Sequence, residues 1–426
     1  MIEHHKKESP IISLTGMGGG VSSHLFTSSG DSYLISKSVR FDPSSSPTLQ
    51  RSPSSDGNRK TFTFACWAKK CSIDDHHEDL LSAYSGSDQF RFIWEPYGNL
   101  EAYSRVGGVT TFHIDTNDRF RDPSAWYHIM LAVDLTQSTA SDRVKMYVNA
   151  TEITDTTVHT SPIDANTNVN KGSTPQIIGK STDSQYFDGY LADIHMVEGQ
   201  QLTPDAFTET DSNGILQPKE YNGDHGTNGF WMKFEDGSSQ SALGTDSSSS
   251  GNNLIVNGFT VTAGADNDHV LDSPSTYLDD SGDIHGNYCT LDPLVVGDAS
   301  ENGGVNNFAL LSNGNLYHTS AGAWSGSLGT FPIPTTGKWY WEVKVTKQQN
   351  GQIGIADASH SLTSYVGFTD TSYSYHIGNG QAYTNGSGAI LSGFSATSEG
   401  DIIGVALDLD SSTTTLAFYK NGSLIR

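Results

Sequence analysis

The 426-residue sequence predicts an all-β protein of antiparallel β-sandwiches in tandem, preceded by an extended N-terminal arm. Three observations predict it. The first is a repeated hairpin. Ala132-Val133-Asp134-Leu135, a Ser/Thr/Gln-rich turn and Lys145-Met146-Tyr147-Val148-Asn149-Ala150 recur as Ala406-Leu407-Asp408-Leu409, a turn from Ser411 to Thr414, and Ala417-Phe418-Tyr419-Lys420-Asn421-Gly422. Each copy alternates apolar and polar residues, as an antiparallel pair with one wet and one buried face does. The second is texture: 44 glycines and many Ser/Thr/Asn/Asp clusters punctuate short alternating runs, while long amphipathic helical patterns are scarce. The third is length, which exceeds the size at which a single core keeps growing.

Residues 1–30 contain Gly16-Met17-Gly18-Gly19-Gly20 and little periodicity, so they read as an arm that docks on a neighbour. The glycines lack the GxxxxGK[ST] pattern of a phosphate loop. A first sandwich is expected over 31–207. It opens with Ser38-Val39-Arg40-Phe41 and continues in 61–68, where period two puts Phe62, Phe64, Cys66 and Ala68 on one side as candidate core. Further strands follow at Phe90-Arg91-Phe92-Ile93-Trp94, from Trp126 to Val133, at Gln176-Ile177-Ile178 and from Gly189 to Met196, enough for two sheets. Residues 208–284 read as a polar connector. Its one clear strand, Gly229-Phe230-Trp231-Met232-Lys233-Phe234, alternates Phe230, Met232 and Phe234 with other residues, so it adds to the first sandwich or packs between modules. The acidic, Gly/Ser/Pro-containing stretch 266–286 is the better linker candidate. A second sandwich is expected over 285–426. On its clearest strand, 337–345, Trp339, Trp341, Val343 and Val345 share a face, and two indoles on one face imply a substantial core.

Composition narrows the function. The chain carries 24 Lys and Arg against 48 Asp and Glu, a formal charge of -24, which repels phosphate backbones and excludes a nucleic-acid partner. Aromatics at 10 %, placed in alternating strands, argue against disorder. Three cysteines, Cys66, Cys71 and Cys289, are too few and too scattered for a disulfide framework and are expected as reduced thiols. The polar stretch Met1 to Pro10 and the brief apolar run Ile11 to Leu14 give no segment of signal-peptide or membrane length, so membrane insertion is not expected. The chain is expected to fold in a cytoplasm and to reach any outer surface by a route other than ordinary secretion.

Two sets of residues carry resemblances. Arg121-Asp122-Pro123-Ser124-Ala125-Trp126-Tyr127-His128-Ile129, Phe187-Asp188-Gly189-Tyr190-Leu191-Ala192-Asp193 and the Tyr-Val-Asn hairpin resemble laminin-G-like (concanavalin A-like lectin) domains. Gly337-Lys338-Trp339-Tyr340-Trp341-Glu342, Ile353-Gly354-Ile355, the run Asp401 to Asp408 and Phe418-Tyr419-Lys420-Asn421-Gly422 resemble the SPRY module. SPRY modules of this kind continue for a few strands past the Tyr-Lys-Asn-Gly turn, whereas this sequence ends at Arg426; the resemblance implies completion by further strands or by another subunit, since an open sheet edge invites aggregation. The combination, with its Gly-rich arm, is similar to a family of structural proteins in marine tailed bacteriophages. That likeness implies a virion structural protein (fibre, appendage or decoration component) located on the particle and recognising host-surface glycan or protein. It implies further that the arm contacts other virion proteins and that the chain forms a homo-oligomer such as a trimer. Two other readings stand beside it: a purely architectural subunit contact, and a polysaccharide-degrading virion enzyme.

The candidate ligand-binding residues are Tyr373, Tyr375, His376, Asn379 and Tyr383, an aromatic and amide cluster suited to stacking on sugar rings or docking a protein. Laminin-G-like domains bind Ca²⁺ at the sandwich rim, and that resemblance makes Asp134, Asp188 and Asp193 the candidate oxygen donors; no other cofactor is expected. Asp134 and Asp408 occupy equivalent hairpin positions, which fits turn capping better than metal ligation. The run Asp74-Asp75-His76-His77-Glu78-Asp79 reads as a solvated acidic loop, because adjacent loop residues seldom converge on one ion, and His4-His5 in the arm carries less weight still. No catalytic residues are expected. The Glu-x-Asp-x-x-Glu arrangement of concanavalin-fold glycosidases is missing, Glu95 and Glu101 straddle a Pro-Tyr-Gly turn, Glu342 stands alone, and no G-x-S-x-G elbow precedes a helix. Three Asn-x-Ser/Thr matches, at Asn149, Asn385 and Asn421, arise by chance in a chain this rich in those residues.

Overall fold

A computed structural model describes residues 33–425 except 73–75, 182–184, 265, 280, 297–308, 321–324, 349, 363 and 387–388. The Gly-rich arm, His4-His5, Asp74 and Asp75 therefore lie outside the described residues. The chain divides into two compact units that meet in sequence at Asn287 and Tyr288. Both are antiparallel β-structures, and the described residues contain one short α-helix, Gln240–Leu243.

The strands of the first unit are β1 (Ser38–Phe41), β2 (Thr48–Arg51), β3 (Thr61–Lys70), β4 (Glu78–Ser85), β5 (Asp88–Trp94), β6 (Leu100–Val106), β7 (Val109–Thr116), β8 (Tyr127–Asp134), β9 (Val144–Val148), β10 (Thr151–Glu152), β11 (Thr156–Thr160), β12 (Gln176–Ile178), β13 (Gly189–Glu198), β14 (Thr208–Thr210), β15 (Leu216–Pro218), β16 (Phe230–Met232), β17 (Ile255–Asn257), β18 (His269–Val270), β19 (Tyr277–Leu278) and β20 (Ile284–His285). One eight-stranded sheet runs β10-β9-β8-β3-β13-β1-β18, with β16 also paired to β13; the other runs β11-β7-β6-β5-β4-β12-β2-β17. They form a sandwich because period two aims the expected residues of β3 at the facing sheet. Phe62 meets Phe90 at 5.8 Å and Phe64 meets Phe92 at 6.1 Å, both edge to face. Such pairs add about 0.5–1.5 kcal/mol each beyond the area they bury.

The first sheet is buried on both sides. The other face of β3, β8 and β13 carries Ala65, Met130, Ala132 and Val197, which pack under Phe207 and Tyr221. The segment after β13 thus covers the sheet instead of leaving it. Phe230, Met232 and Phe234 reach the main core, so the expected connector strand belongs to the first sandwich.

The stretch 266–286 is integrated into the first unit, contrary to its reading as a linker. Arg40 pairs with Asp268 at 2.9 Å and Lys69 with Asp272 at 3.0 Å, all four side chains almost fully buried. Asp272 also accepts from Trp126 Nε1 at 2.9 Å, and Asn287 accepts from Lys69 at 2.9 Å. The polar composition that suggests a solvated tether is in fact the partner set of buried cations.

The second unit contains β21 (Leu291–Val296), β22 (Ala309–Ser312), β23 (Tyr317–Ser320), β24 (Ser327–Gly329), β25 (Lys338–Lys344), β26 (Gln352–Ala356), β27 (Ser372–His376), β28 (Gln381–Tyr383), β29 (Ala389–Leu391), β30 (Ile402–Asp408), β31 (Thr415–Lys420) and β32 (Ser423–Leu424). Two four-stranded sheets, β25-β30-β31-β32 and β26-β27-β28-β29, enclose Val345, Tyr375, Ile377, Ile403, Val405 and Phe418. The core is smaller than two indoles suggest. Trp341 packs against it, but Trp339 stays part-exposed and donates to Thr336 O at 3.0 Å.

The repeated hairpin is β8–β9 in one unit and β30–β31 in the other. Val133 faces Val144 and Met130 faces Tyr147; Leu407 faces Leu416 and Gly404 faces Tyr419. The two copies share their pairing register. All three cysteines are free, with Cys66 and Cys71 buried.

Candidate functional site

Strand alternation divides the five candidate ligand residues of the second unit between two faces. Tyr373 and Tyr375 point between the sheets. Tyr375 is only 1 % exposed, its ring 5.7 Å from Phe418 and its hydroxyl donating to Ser395 O at 2.9 Å. It is a core residue, so its expected role of stacking on a ligand does not fit its position. Tyr373 is 43 % exposed at the mouth of an apolar cleft lined by Ile390, Leu391, Phe394, Leu416 and Ile425.

The other three residues come together on the opposite face of the β26–β29 sheet. His376 faces Gln381 across the ladder and Ser374 faces Tyr383, so period two places all four side chains on that face. The His376 and Tyr383 rings lie 5.9 Å apart. Asn379, in the β27–β28 turn, donates from Nδ2 to Tyr383 OH at 2.8 Å, and Tyr383 OH donates to Gln381 Oε1 at 2.6 Å. Ser374 donates to Gln352 Oε1 on the neighbouring strand. Gly380 makes this turn possible: φ is +69°, and a Cβ there would sit 2.4 Å from Phe394 O. Tyr365 and Phe368 border the cluster, with Tyr365 6.3 Å from Tyr383 and Phe368 half exposed.

This arrangement can recognise a polyol. Amide, phenol and imidazole groups are tied to one another while Asn379 remains exposed, so donors and acceptors are held in place beside aromatic rings. Burial lowers the pKa of His376, keeping its imidazole neutral at physiological pH. Gln352, Gln381, Tyr365 and Phe368 were not among the sequence candidates; period-two pairing to His376 and Tyr383 is the signal that finds the glutamines.

The three aspartates proposed for Ca²⁺ occupy separate settings. Asp134 caps its hairpin turn, accepting from Thr136 N at 3.0 Å, Thr136 Oγ1 at 2.6 Å and Gln137 Nε2 at 2.8 Å. Asp408 accepts in the same way from the Asp410 and Ser411 amides, at 3.0 and 3.1 Å. Asp193 is buried at a bulge of β13 with φ +49°, where it accepts from Trp231 Nε1 at 2.6 Å and Tyr33 OH at 2.8 Å and pairs with His195 at 3.4 Å. Asp188 precedes β13, its backbone carbonyl accepting from the Cys71 amide. Among the described residues, no three His, Cys, Asp or Glu side chains are grouped to hold a metal ion.

The 74–79 run also diverges. His77 pairs with Glu95 at 2.8 Å, Lys70 with Glu78 at 3.0 Å and Arg91 with Asp79 at 2.8 Å. Glu101, on the other side of the Pro-Tyr-Gly turn from Glu95, pairs with His113 at 2.8 Å.

Comparison with known proteins agrees with this architecture. Residues 44–206 match the family model of the concanavalin A-like lectin/glucanases superfamily, and residues 338–425 match the SPRY domain. The chain carries a concanavalin A-like domain and a SPRY domain. No curated protein sequence matches it. Among solved structures, a heptameric SAP-like pentraxin from Limulus polyphemus is 13 % identical, covering 53 % of this chain and 97 % of its own, with a TM-score of 0.33. Domains LG4-5 of the mouse laminin alpha1 chain are 11 % identical over 94 % of this chain and 79 % of theirs, TM-score 0.34. The CBM40 of a Ruminococcus gnavus sialidase, solved with α2,3-sialyllactose, is 15 % identical over 41 % of this chain and 92 % of its own, TM-score 0.28.

Proposed function

We propose that this is a non-catalytic recognition protein of lectin type, binding glycan on the outer face of the β26–β29 sheet, and that it serves as an outward-facing structural component of a tailed-phage virion. The observation that carries the glycan reading is the Asn379–Tyr383–Gln381 hydrogen-bond cluster flanked by Tyr365 and Phe368. The concanavalin A-like match supports the lectin class, while the virion reading rests on the likeness of the arm and the two modules together to structural proteins of marine tailed bacteriophages. In that role the N-terminal arm holds the chain to other virion proteins, and symmetric assembly such as a trimer multiplies weak sugar affinity.

Hydrolysis is disfavoured because the sequence lacks the Glu-x-Asp-x-x-Glu arrangement that concanavalin-fold glycosidases place on one strand. An architectural role draws its support from exposed apolar side chains at the sheet edges of the second unit, Ile390 at 53 % and Leu424 at 62 %.

A glycan array probed with the full chain tests the main reading, alongside antibody labelling of purified phage particles. Binding of a defined glycan set that disappears in Asn379→Ala/Tyr383→Ala supports it. A silent array, or binding indifferent to that double change, refutes the assigned face; unlabelled particles refute the virion role separately.

A further inference from the structure

The buried contacts at the end of β3 in the first unit bring together the three groups that an amide condensation needs. Lys69 Nζ lies 3.0 Å from Asp272 Oδ2 and 2.9 Å from Asn287 Oδ1, so one amine touches both a carboxylate and the carbonyl of a carboxamide. Each partner is fixed from its far side. Asp272 Oδ1 accepts from Trp126 Nε1 at 2.9 Å, and Asn287 Nδ2 donates to Ser124 O at 2.6 Å. The backbone sets the two partners side by side as well, since Asp272 bridges Gly286 and the Ser273 amide donates to Gly286 O at 2.9 Å.

The nucleophile sits in an apolar setting. Lys69 is fully buried on β3 opposite Tyr190 of β13, with Nζ 5.7 Å from the Tyr190 ring, and Tyr190 and Trp126 belong to a buried cluster with Trp67 and Cys71. Once such an amine is neutral, little hydration has to be removed before it attacks. Asn287 is only half-buried, so a small leaving group has a way out to solvent.

We propose that Lys69 and Asn287 condense into an internal amide cross-link, with Asp272 carrying the protons. Asp272 takes one proton from the Lys69 ammonium across their contact, which leaves a neutral amine. Nζ then attacks Cγ of Asn287 and forms the new N–C bond. One of the two protons left on Nζ passes through the Asp272 carboxyl to Nδ2, the Cγ–Nδ2 bond breaks, and ammonia departs. Asp272 finally gives up the proton it took at the start, and ammonia carries it into water as ammonium. Nothing is oxidised or reduced, and no co-reactant is consumed. The ion pair of Lys69 with Asp272 is the state before this reaction. The product joins residues 218 positions apart and fastens the last residue of the first unit to an interior strand of its first sheet. It is independent of the glycan reading, which concerns the other unit.

Mass spectrometry of the purified, folded full chain tests it. The chain should weigh less than its sequence by about 17 Da, the mass of one ammonia, and a protease digest should yield a branched peptide joining Lys69 to Asn287. Lys69→Arg keeps a cation beside Asp272, Asn287→Ala keeps the ion pair, and Asp272→Asn keeps an acceptor for Trp126; all three should retain their full sequence mass. Unbranched Lys69 and Asn287 peptides from wild-type protein overturn the proposal, as does a Lys69–Asp272 amide, which is marked by a loss of about 18 Da as water. A cross-link that persists in Asp272→Asn overturns the assigned role of that carboxyl. Where a variant does not fold, the wild-type digest decides alone.

Discussion

Replacing Asp272 by alanine leaves Lys69 buried with its main counter-charge removed. Lys69 is fully buried and Asp272 nearly so, at 3.0 Å; the same carboxylate accepts from Trp126, and Asn287 remains as the neutral partner of Lys69. Breaking a buried pair from one side costs about 3–5 kcal/mol, because the survivor's desolvation is no longer offset. For a unit of this length each kcal/mol moves the melting temperature by about 2–4 °C, so the first unit should melt about 6–20 °C lower. Scanning calorimetry of the full chain reads this, with the second unit's transition as internal reference. The double change Lys69→Met/Asp272→Leu should recover much of the loss, since apolar side chains of similar volume replace such pairs at little cost. A drop below about 2 °C in Asp272→Ala, the range of a surface substitution, would refute the argument that 266–287 is locked into the first unit by buried charge.

The remaining predictions concern other groups. His128 lies against Trp67 and Phe207, and burial pushes its imidazole from 6.5 down to about 3. The folded state therefore refuses a proton that the unfolded chain accepts, so stability is full above 6.5 and is lost as pH falls toward 3. His128→Phe should flatten the acid limb of a melting-temperature profile, and an unchanged limb counts against it. In Gly354→Ala a Cβ would stand 1.9 Å from Tyr373 O, so β26 and β27 cannot keep their pairing. That variant should lose glycan binding along with the second unit's cooperative transition. Tyr383→Phe removes only the hydroxyl that joins Asn379 to Gln381, and should weaken glycan binding about tenfold, the effect of about 1.4 kcal/mol, with the fold intact by circular dichroism. Unchanged affinity would move the site elsewhere.

Much of the fold could be read in advance because period two survives any tertiary detail. Phe62, Phe64, Cys66 and Ala68 sit in the core as their spacing requires, and the two hairpins share a register because their apolar residues recur at the same steps. The sequence misled where composition stood in for contact. Asp268 and Asp272 look like linker residues until Arg40 and Lys69, more than 200 positions away in the chain, are seen beside them. The candidate site shows the same limit at short range. Tyr373, Tyr375, His376, Asn379 and Tyr383 form one cluster along the chain, yet alternation sends Tyr375 into the core between the sheets and His376 to the opposite face of its sheet, and separates Asp134, Asp188 and Asp193 as well. Glu95 and Glu101 were noticed, but their partners His77 and His113 come from neighbouring strands that residue names do not place beside them.

The layer formed by Phe207 and Tyr221 over β3, β8 and β13 bears on how the protein can be cut. The lectin-type match stops at 206, yet Ala65, Met130, Ala132 and Val197 need what comes after that point. A fragment trimmed to the recognisable domain would strip an oily surface bare and take Asp268 and Asp272 away from Arg40 and Lys69. Expression trials that follow the domain boundary should yield insoluble material, while those extended to 287 should yield a soluble, cooperatively folded fragment.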